Sequence, residues 1–402
     1  MIDNYGVFKH QSMFNHYNSI TKSVNSVIAT EFTQKSLKRI TPESIVYGHM
    51  GQMVIKDGIC YTSFIQNPGN DGEAHFSGTS EIVLAFFPLE RALADDFNIE
   101  SDIAVRRIGG SGDSFAGRRA MSIYKDNSMC IVGDKIFICF SFITDDCKTR
   151  LFSAVYDIES DSFGEEKEIK LSYRDKVYDF TDQTIDKIYE DNMLERRAKG
   201  MIEIVSSWNE YNGEYYATGI FSDTANNGFV VKTSDFSMFT LVDVLAFNDM
   251  GSAEIASYIY KNRLYVACRQ HYGIPYMYIN YYDLERKMWG MPYKIADGNV
   301  RPWFFEYKGE LYLLNTIDEY NRLYTNISKV RTLQDEYRNY NYHTPVESLF
   351  TLKDCGAYFA VCNYNDRIFF VSTKDTISFG EINMQLKSED EVNGKLLELF
   401  GV

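Results

Sequence analysis

The sequence predicts an all-β fold: a six-bladed β-propeller of four-stranded antiparallel blades, with a short N-terminal helical segment. Two repeated motifs and one compositional bias predict it. The first motif occurs six times: a small turn residue, any residue, an apolar residue, then Tyr or Phe. Its copies are Gly58-Ile59-Cys60-Tyr61, Asp134-Lys135-Ile136-Phe137, Gly213-Glu214-Tyr215-Tyr216, Asn262-Arg263-Leu264-Tyr265, Gly309-Glu310-Leu311-Tyr312 and Asp366-Arg367-Ile368-Phe369. Each follows a hydrophobic stretch such as Met53-Val54-Ile55 or Trp303-Phe304-Phe305. An apolar run, a Gly/Asn/Asp turn and a second apolar run make a β-hairpin. Six such hairpins imply a sheet repeated about an axis.

The second motif places an Asp six residues before an aromatic and Gly, in Asp157…Phe163-Gly164 and Asp283…Trp289-Gly290. Asp there caps main-chain amides of a turn, and the aromatic packs between sheets. Looser copies are Asp235 with Phe239 and Asp375 with Phe379. The bias is aromatic: 30 Tyr and 28 Phe against 3 Trp. Tyr and Phe favour half-buried pleated surfaces.

The turn residues at 58, 134, 213, 262, 309 and 366 leave longer intervals early in the chain than late. Two insertions are therefore expected, Arg106 to Arg119 and Tyr173 to Ala198, the second charged and suited to a short helix. Gly109-Gly110-Ser111-Gly112-Asp113-Ser114 is glycine-rich but lacks the Lys-Ser/Thr of a phosphate-binding loop. At the N-terminus Met13, Tyr17, Ile20, Val24 and Val27 fall at 4-3-4-3 spacing. They predict an amphipathic helix packed on the propeller, or a short oligomerising stalk. The expected organisation is a helical or stalk-like segment over 1–44, the propeller over 45–387 and a C-terminal helix over 388–402.

The formal charge of −15 argues against a nucleic-acid partner. No apolar run approaches the ~20 residues that span a bilayer, and Met1 to Gln11 lacks the apolar core of a secretory signal. The expectation is a cytoplasmic or virion-associated protein without membrane insertion. The seven Cys, at 60, 130, 139, 147, 268, 355 and 362, show no CxxC spacing and read as buried free thiols. No metal site or cofactor is expected.

Propeller ligands bind on the axis, near the starts of the innermost strands. The candidates are polar residues just before each apolar run: His49, Arg118, Arg119, Glu203, Glu254, Arg301 and Tyr358.

From about residue 45 to 385 the chain resembles the sialidase-like propellers. Glu254-Ile255-Ala256-Ser257-Tyr258-Ile259-Tyr260, its Asn262 turn and Arg269 resemble the sialidase hairpin that carries a Glu and a clamp Arg. Leu313-Leu314-Asn315-Thr316 with Arg322 and Ser328 is similar to the segment that supplies another clamp Arg. Gly356-Ala357-Tyr358 is similar to the segment that carries a Tyr nucleophile, and Asp71 lies where the family keeps its acid/base Asp. The resemblance implies a glycosidase in which Tyr358 is the nucleophile, Glu254 its base and Asp71 the acid. Arg269 and Arg322 would grip a substrate carboxylate, with Arg301, Arg119 and His49 as further substrate-binding candidates. Gly48-His49-Met50-Gly51 stands where the family has Arg-Ile-Pro, and Thr233-Ser234-Asp235-Phe236-Ser237-Met238-Phe239-Thr240 lacks the Gly and Trp of its Asp box. Three alternatives therefore stand beside it. One is a polysaccharide lyase using His49 and a Tyr, and another a non-catalytic glycan-binding or phage-tail module. The third is a propeller serving only as an interaction scaffold. A glycan is the expected partner in the first two, and the N-terminal segment is the candidate for self-association.

Overall fold

The computed structural model describes residues 29–34, 37–69, 78–123, 127–192, 201–222, 228–245, 252–270, 276–290, 292–296, 300–316, 324–330 and 346–386. Six sheets lie within them. Sheet 1 runs Tyr47–Lys56, Ile59–Asn67, Glu81–Pro88 and Ala104–Gly110. Sheet 2 is built on Lys135–Thr144 and Thr149–Asp157, and its first lane is split into Arg118–Ile123 and Ser128–Val132. Sheet 3 has Glu214–Ser222, Gly228–Thr233 and Met238–Val244, after a first lane split into Met201–Ile204 and Asn209–Tyr211. Sheet 4 begins with Ser252–Tyr260, Arg263–Gln270 and Tyr276–Asp283. Sheet 5 is Trp303–Tyr307, Glu310–Thr316, Tyr324–Val330 and Val346–Lys353. Sheet 6 is Ala357–Tyr364, Arg367–Thr373 and Ile377–Leu386, completed at its edge by Ala29–Gln34.

Each repeated tetrapeptide sits at a two-residue hairpin between the first two lanes of a sheet. In five of the six the turn pair has positive φ at both positions: Asp57-Gly58, Asn212-Gly213, Lys261-Asn262, Lys308-Gly309 and Asn365-Asp366. That is the backbone whose twist matches paired strands, and Gly, Asn and Asp enter it at least cost. The Asp motif also caps as expected. Asp157 accepts from the Ser160 amide, Asp283 from those of Glu285 and Arg286, and Asp235 from those of Ser237 and Met238. Phe163 packs on Tyr156 and Trp289 on Tyr282, at 5.2 and 5.1 Å between ring centres.

The sheets pack face to face in chain order. Ile65 and Leu84 of sheet 1 share a cluster with Phe140 and Phe152 of sheet 2. Cys139 and Leu151 join Ile202 and Phe229 of sheet 3, whose Val205 and Val230 meet Ile255 and Val266 of sheet 4. Ala256 and Ala267 pack on Phe304 and Leu313 of sheet 5, and Trp303, Phe370 and Phe64 join sheets 5, 6 and 1. The last contact closes the ring. Trp303-Phe304-Phe305 shows how a continuous apolar run fits this arrangement. Trp303 and Phe305 face the sheet 6 side, Phe304 the sheet 4 side, because every sheet is covered on both faces.

Two expectations are corrected. The described part of segment 1–44 includes strand: Ala29–Gln34 and Lys38–Arg39 both pair with Ile377–Leu386, so early and late described segments share one sheet. Met13 to Val27 and the C-terminal helix expected over 388–402 lie outside the described residues. The stretch Arg106 to Arg119 is no insertion. Ala104–Gly110 is the fourth strand of sheet 1, and the glycines form the turn into Ser114–Phe115 and Arg118–Ile123, closed by the Asp113 carboxylate on the Gly110 amide at 2.8 Å. The later insertion does hold a helix, Asp182–Asp191, which buries Ile185, Ile188 and Tyr189 against sheet 3. It follows a hairpin whose strand Lys170–Tyr173 adds to sheet 3 in parallel with Met238–Val244. All seven thiols are free, five are buried and Cys147 is exposed.

Candidate functional site

Three strand starts bring side chains together at one end of the axis. Sheet 1 supplies His49 and Met50, sheet 4 Glu254, and sheet 6 Tyr358. Each strand carries a register shift at that place: between His49 and Gln52, between Ala253 and Ile255, and between Ala357 and Ala360. Inside each shift one non-glycine residue is left-handed, with φ 55° at Met50, 52° at Glu254 and 53° at Tyr358. Such a bulge turns a side chain that the pleat would direct into a sheet face towards the axis instead. Each left-handed residue costs about 1–3 kcal/mol, a strain that persists where surrounding contacts fix it. Gly356 is part of the device. Its φ is 79°, and a Cβ there would lie 2.6 Å from the Thr373 carbonyl oxygen.

The Tyr358 hydroxyl donates to Glu254 Oε1 at 3.0 Å. The other carboxylate oxygen, Oε2, accepts from Arg269 Nη1 at 2.8 Å. Arg269 is only 5% exposed and sits on the neighbouring strand, in register with Ala253. The His49 ring meets Tyr358 edge-on, with centres 4.7 Å apart. One phenol is thus fixed by a carboxylate on one side and an imidazole on another, and the carboxylate is fixed by a guanidinium. The arrangement can pass the phenol proton to Glu254 as Tyr358 attacks an electrophile.

The other candidates divide. Arg301 is 1% exposed, and its Nη2 lies 3.4–3.5 Å from the carbonyl oxygens of Gly51, Tyr358 and Phe359. Its guanidinium carbon is 5.5 Å from the Trp303 ring centre and 5.8 Å from that of Tyr358. It lies beneath the site and ties the bulges of sheets 1 and 6 together. Arg118 is engaged in ion pairs with Glu168 at 3.1 Å and Asp146 at 3.7 Å, while Arg119 is exposed on the same strand. Glu203 is buried in the first lane of sheet 3, and Ser328 is buried in sheet 5. Asp71 and Arg322 lie outside the described residues. Sequence reasoning missed Met50 and the bulges. Gly51 and Gly356 beside the shifted residues are the sole signals of them, and sheet 4 has none.

The fold has counterparts among solved structures. The chain is similar to Trypanosoma rangeli sialidase in complex with sialic acid, with TM-score 0.52 and 10% identity over 89% of this chain and 59% of that one. It is similar to the same sialidase with the inhibitor DANA, at 0.55 and 11% over 88% and 60%. A third likeness is to that sialidase with 2,3-difluorosialic acid as a covalent intermediate, at 0.53 and 10% over 91% and 60%. The chain therefore spans about three fifths of the length of these sialidases. No family model matches it, and no curated protein sequence matches it significantly. At this identity the likeness concerns architecture, and it shows a sialidase-like β-propeller fold.

Proposed function

We propose that the protein is a glycoside hydrolase that acts on a carboxylated sugar, with Tyr358 as nucleophile. The observation that carries this reading is the 3.0 Å hydrogen bond from Tyr358 to Glu254, whose carboxylate Arg269 holds from the far side. The Tyr358 oxygen attacks the anomeric carbon as its proton passes to Glu254, and Asp71 protonates the departing glycosidic oxygen. Water then breaks the glycosyl–tyrosine bond, giving a proton to Asp71 while Glu254 returns one to Tyr358. A phenol paired with a carboxylate suits an anionic sugar, because the attacking group begins neutral. Arg269, Arg322, Arg119 and His49 are the groups assigned to the substrate carboxylate. Arg301, enclosed by main-chain carbonyls, is assigned instead to holding Tyr358 in place. The likeness in fold to the sialidase structure with a covalent intermediate supports a covalent route.

A second reading, β-elimination on a uronate, is favoured by the contact of His49 with Tyr358. One assay separates the two. Wild-type protein and Tyr358→Phe are tested against fluorogenic glycosides that include a sialoside and a glucuronide, and against uronate polymers. Hydrolysis lost in the variant supports the hydrolase. An unsaturated uronate product supports the lyase. No turnover on any of them leaves a glycan-binding or phage-tail propeller as the better account.

A further inference from the structure

A second feature of the axis lies away from the Tyr358 site. A cavity of about 240 Å³ is lined from all six sheets. Met53 and Val54 come from sheet 1, Cys130 and Ile131 from sheet 2, and Trp208 from the start of sheet 3's second half-lane. Tyr258, Trp303 and Cys362 come from sheets 4, 5 and 6. Val54, Ile131 and Cys362 each stand within a few residues of their hairpin turns, whereas His49, Glu254 and Tyr358 stand at the strand starts. From Tyr358 to Cys362 is four residues, or about 13 Å of strand. The cavity is therefore nearer the opposite end of the axis.

Its walls combine apolar rings with polar groups left to seek a partner. Trp208 and Trp303 are buried, with their indole N–H groups already used on Ser128 and on the Val361 carbonyl, so they present carbon surface. Gln52 is 2% exposed, and its Nε2 has no hydrogen-bond partner among the described residues. A buried donor without a partner costs about 1–3 kcal/mol, a cost that an acceptor bound in the cavity would relieve. Tyr258 lies on the same cavity wall, and burial pushes its phenol up to about 12, with the Glu306 charge adding to the effect. That phenol stays protonated and can donate. Glu210 also lines the cavity, and with Glu306 it makes the surroundings unfavourable for an anion.

We propose that this cavity is a binding site for one neutral, ring-sized polyol, a pyranose monosaccharide or a terminal residue of that kind. The volume is below the ~300–1,000 Å³ of sites for drug-sized ligands, which limits the occupant to a single ring. Aromatic carbon surface covers the C–H face of such a ring, and the Gln52 amide and Tyr258 hydroxyl donate to its oxygens. The site is separate from the one assigned to Tyr358 and does not depend on hydrolysis.

The test is saturation-transfer NMR and calorimetric titration of the whole protein with glucose, galactose, N-acetylglucosamine and, as a cationic control, choline. A crystal structure soaked in whichever sugar binds accompanies it. The expected result is saturable binding of a neutral sugar that Gln52→Leu and Tyr258→Phe each weaken at least tenfold and Tyr358→Phe leaves unchanged, with both variants melting within a few degrees of wild type. Choline binding alone, sugar binding abolished by Tyr358→Phe and not by Tyr258→Phe, or a cavity that holds only water at saturating sugar would each overturn the proposal.

Discussion

Tyr358 and Glu254 lie 104 residues apart in sequence, on the first strands of two different sheets, yet their side chains meet at 3.0 Å. Each is left-handed at the register shift of its strand. Neither conformation is favoured locally, so the surrounding sheets sustain both. The proposed nucleophilic role of Tyr358 rests on this pairing.

Tyr358→Phe and Glu254→Gln keep the shape of the site and remove the nucleophile or its proton acceptor. Each is expected to lower kcat on the best substrate by about 10²–10⁴ while KM changes much less, since the lost interaction belongs to the transition state. Steady-state kinetics with circular dichroism as a folding control checks this. Equal losses in KM with kcat preserved would assign both residues to binding alone.

Arg301→Met removes a buried charge directed at three main-chain carbonyls while keeping most of the volume. The carbonyls of Gly51, Tyr358 and Phe359 lose that donor, and a loss of about 2–4 kcal/mol in stability is expected. Urea unfolding measures it, and Arg301→Lys is expected to lose less. A clamp residue would instead leave stability intact and change only substrate binding.

Acid should destabilise the fold through the cluster around Arg150. That side chain is 3% exposed and meets Asp146 and Glu168, each at 2.7 Å. The Arg150 hydrogen bond holds Asp146 well below the usual carboxylate range, and the Lys170 hydrogen bond lowers Asp179. At Glu168 burial works in the opposite direction, but Arg118 and Arg150 together outweigh it. Carboxylates lowered in the folded state bind fewer protons there than in the unfolded chain. Their contribution is present above about pH 4, near the unfolded values, and is lost as pH falls through the folded ones. Unfolding midpoints of wild type and Arg150→Met should differ at pH 7, and the gap should begin to narrow only as pH falls below about 4. A constant gap would remove this cluster from the acid response.

Gly219 stands opposite Phe229 in register. A Cβ at Gly219 would overlap that ring and lie 2.5 Å from the Glu203 carbonyl oxygen. Gly219→Ala is expected to destabilise by about 1–3 kcal/mol as the core is overpacked, measurable as a lower unfolding midpoint. Gly380→Ala meets first the Phe370 ring and the Leu37 side chain, with no main-chain atom nearer than these, and it should cost less.

The hairpins were legible because a two-residue turn with Gly, Asn or Asp between apolar runs has few other uses. Asp157, Asp235 and Asp283 were legible for the same reason, since a short carboxylate at a turn finds amides. Glu254, Arg269 and Tyr358 were found through their order along the chain and their resemblance to sialidase segments. What brings them together was not visible: left-handed Met50, Glu254 and Tyr358 carry no residue type that announces the conformation. Arg301 was read as a further substrate-binding candidate because it stands just before an apolar run near the axis. Here three carbonyls and the Trp303 and Tyr358 rings enclose it. Ala29–Gln34 gave no sign of its place either, because its partner strand, Ile377–Leu386, begins more than 340 residues later.

A Tyr358 nucleophile becomes covalently linked to the sugar during turnover. The most direct measurement is mass spectrometry of the protein after incubation with a fluorinated glycosyl fluoride of the preferred sugar, in which the fluorine slows breakdown of the adduct. The expected result is a single glycosyl adduct on the peptide that contains Tyr358, absent from Tyr358→Phe. An adduct on a carboxylate, or turnover of the sugar with no adduct on Tyr358, would contradict it.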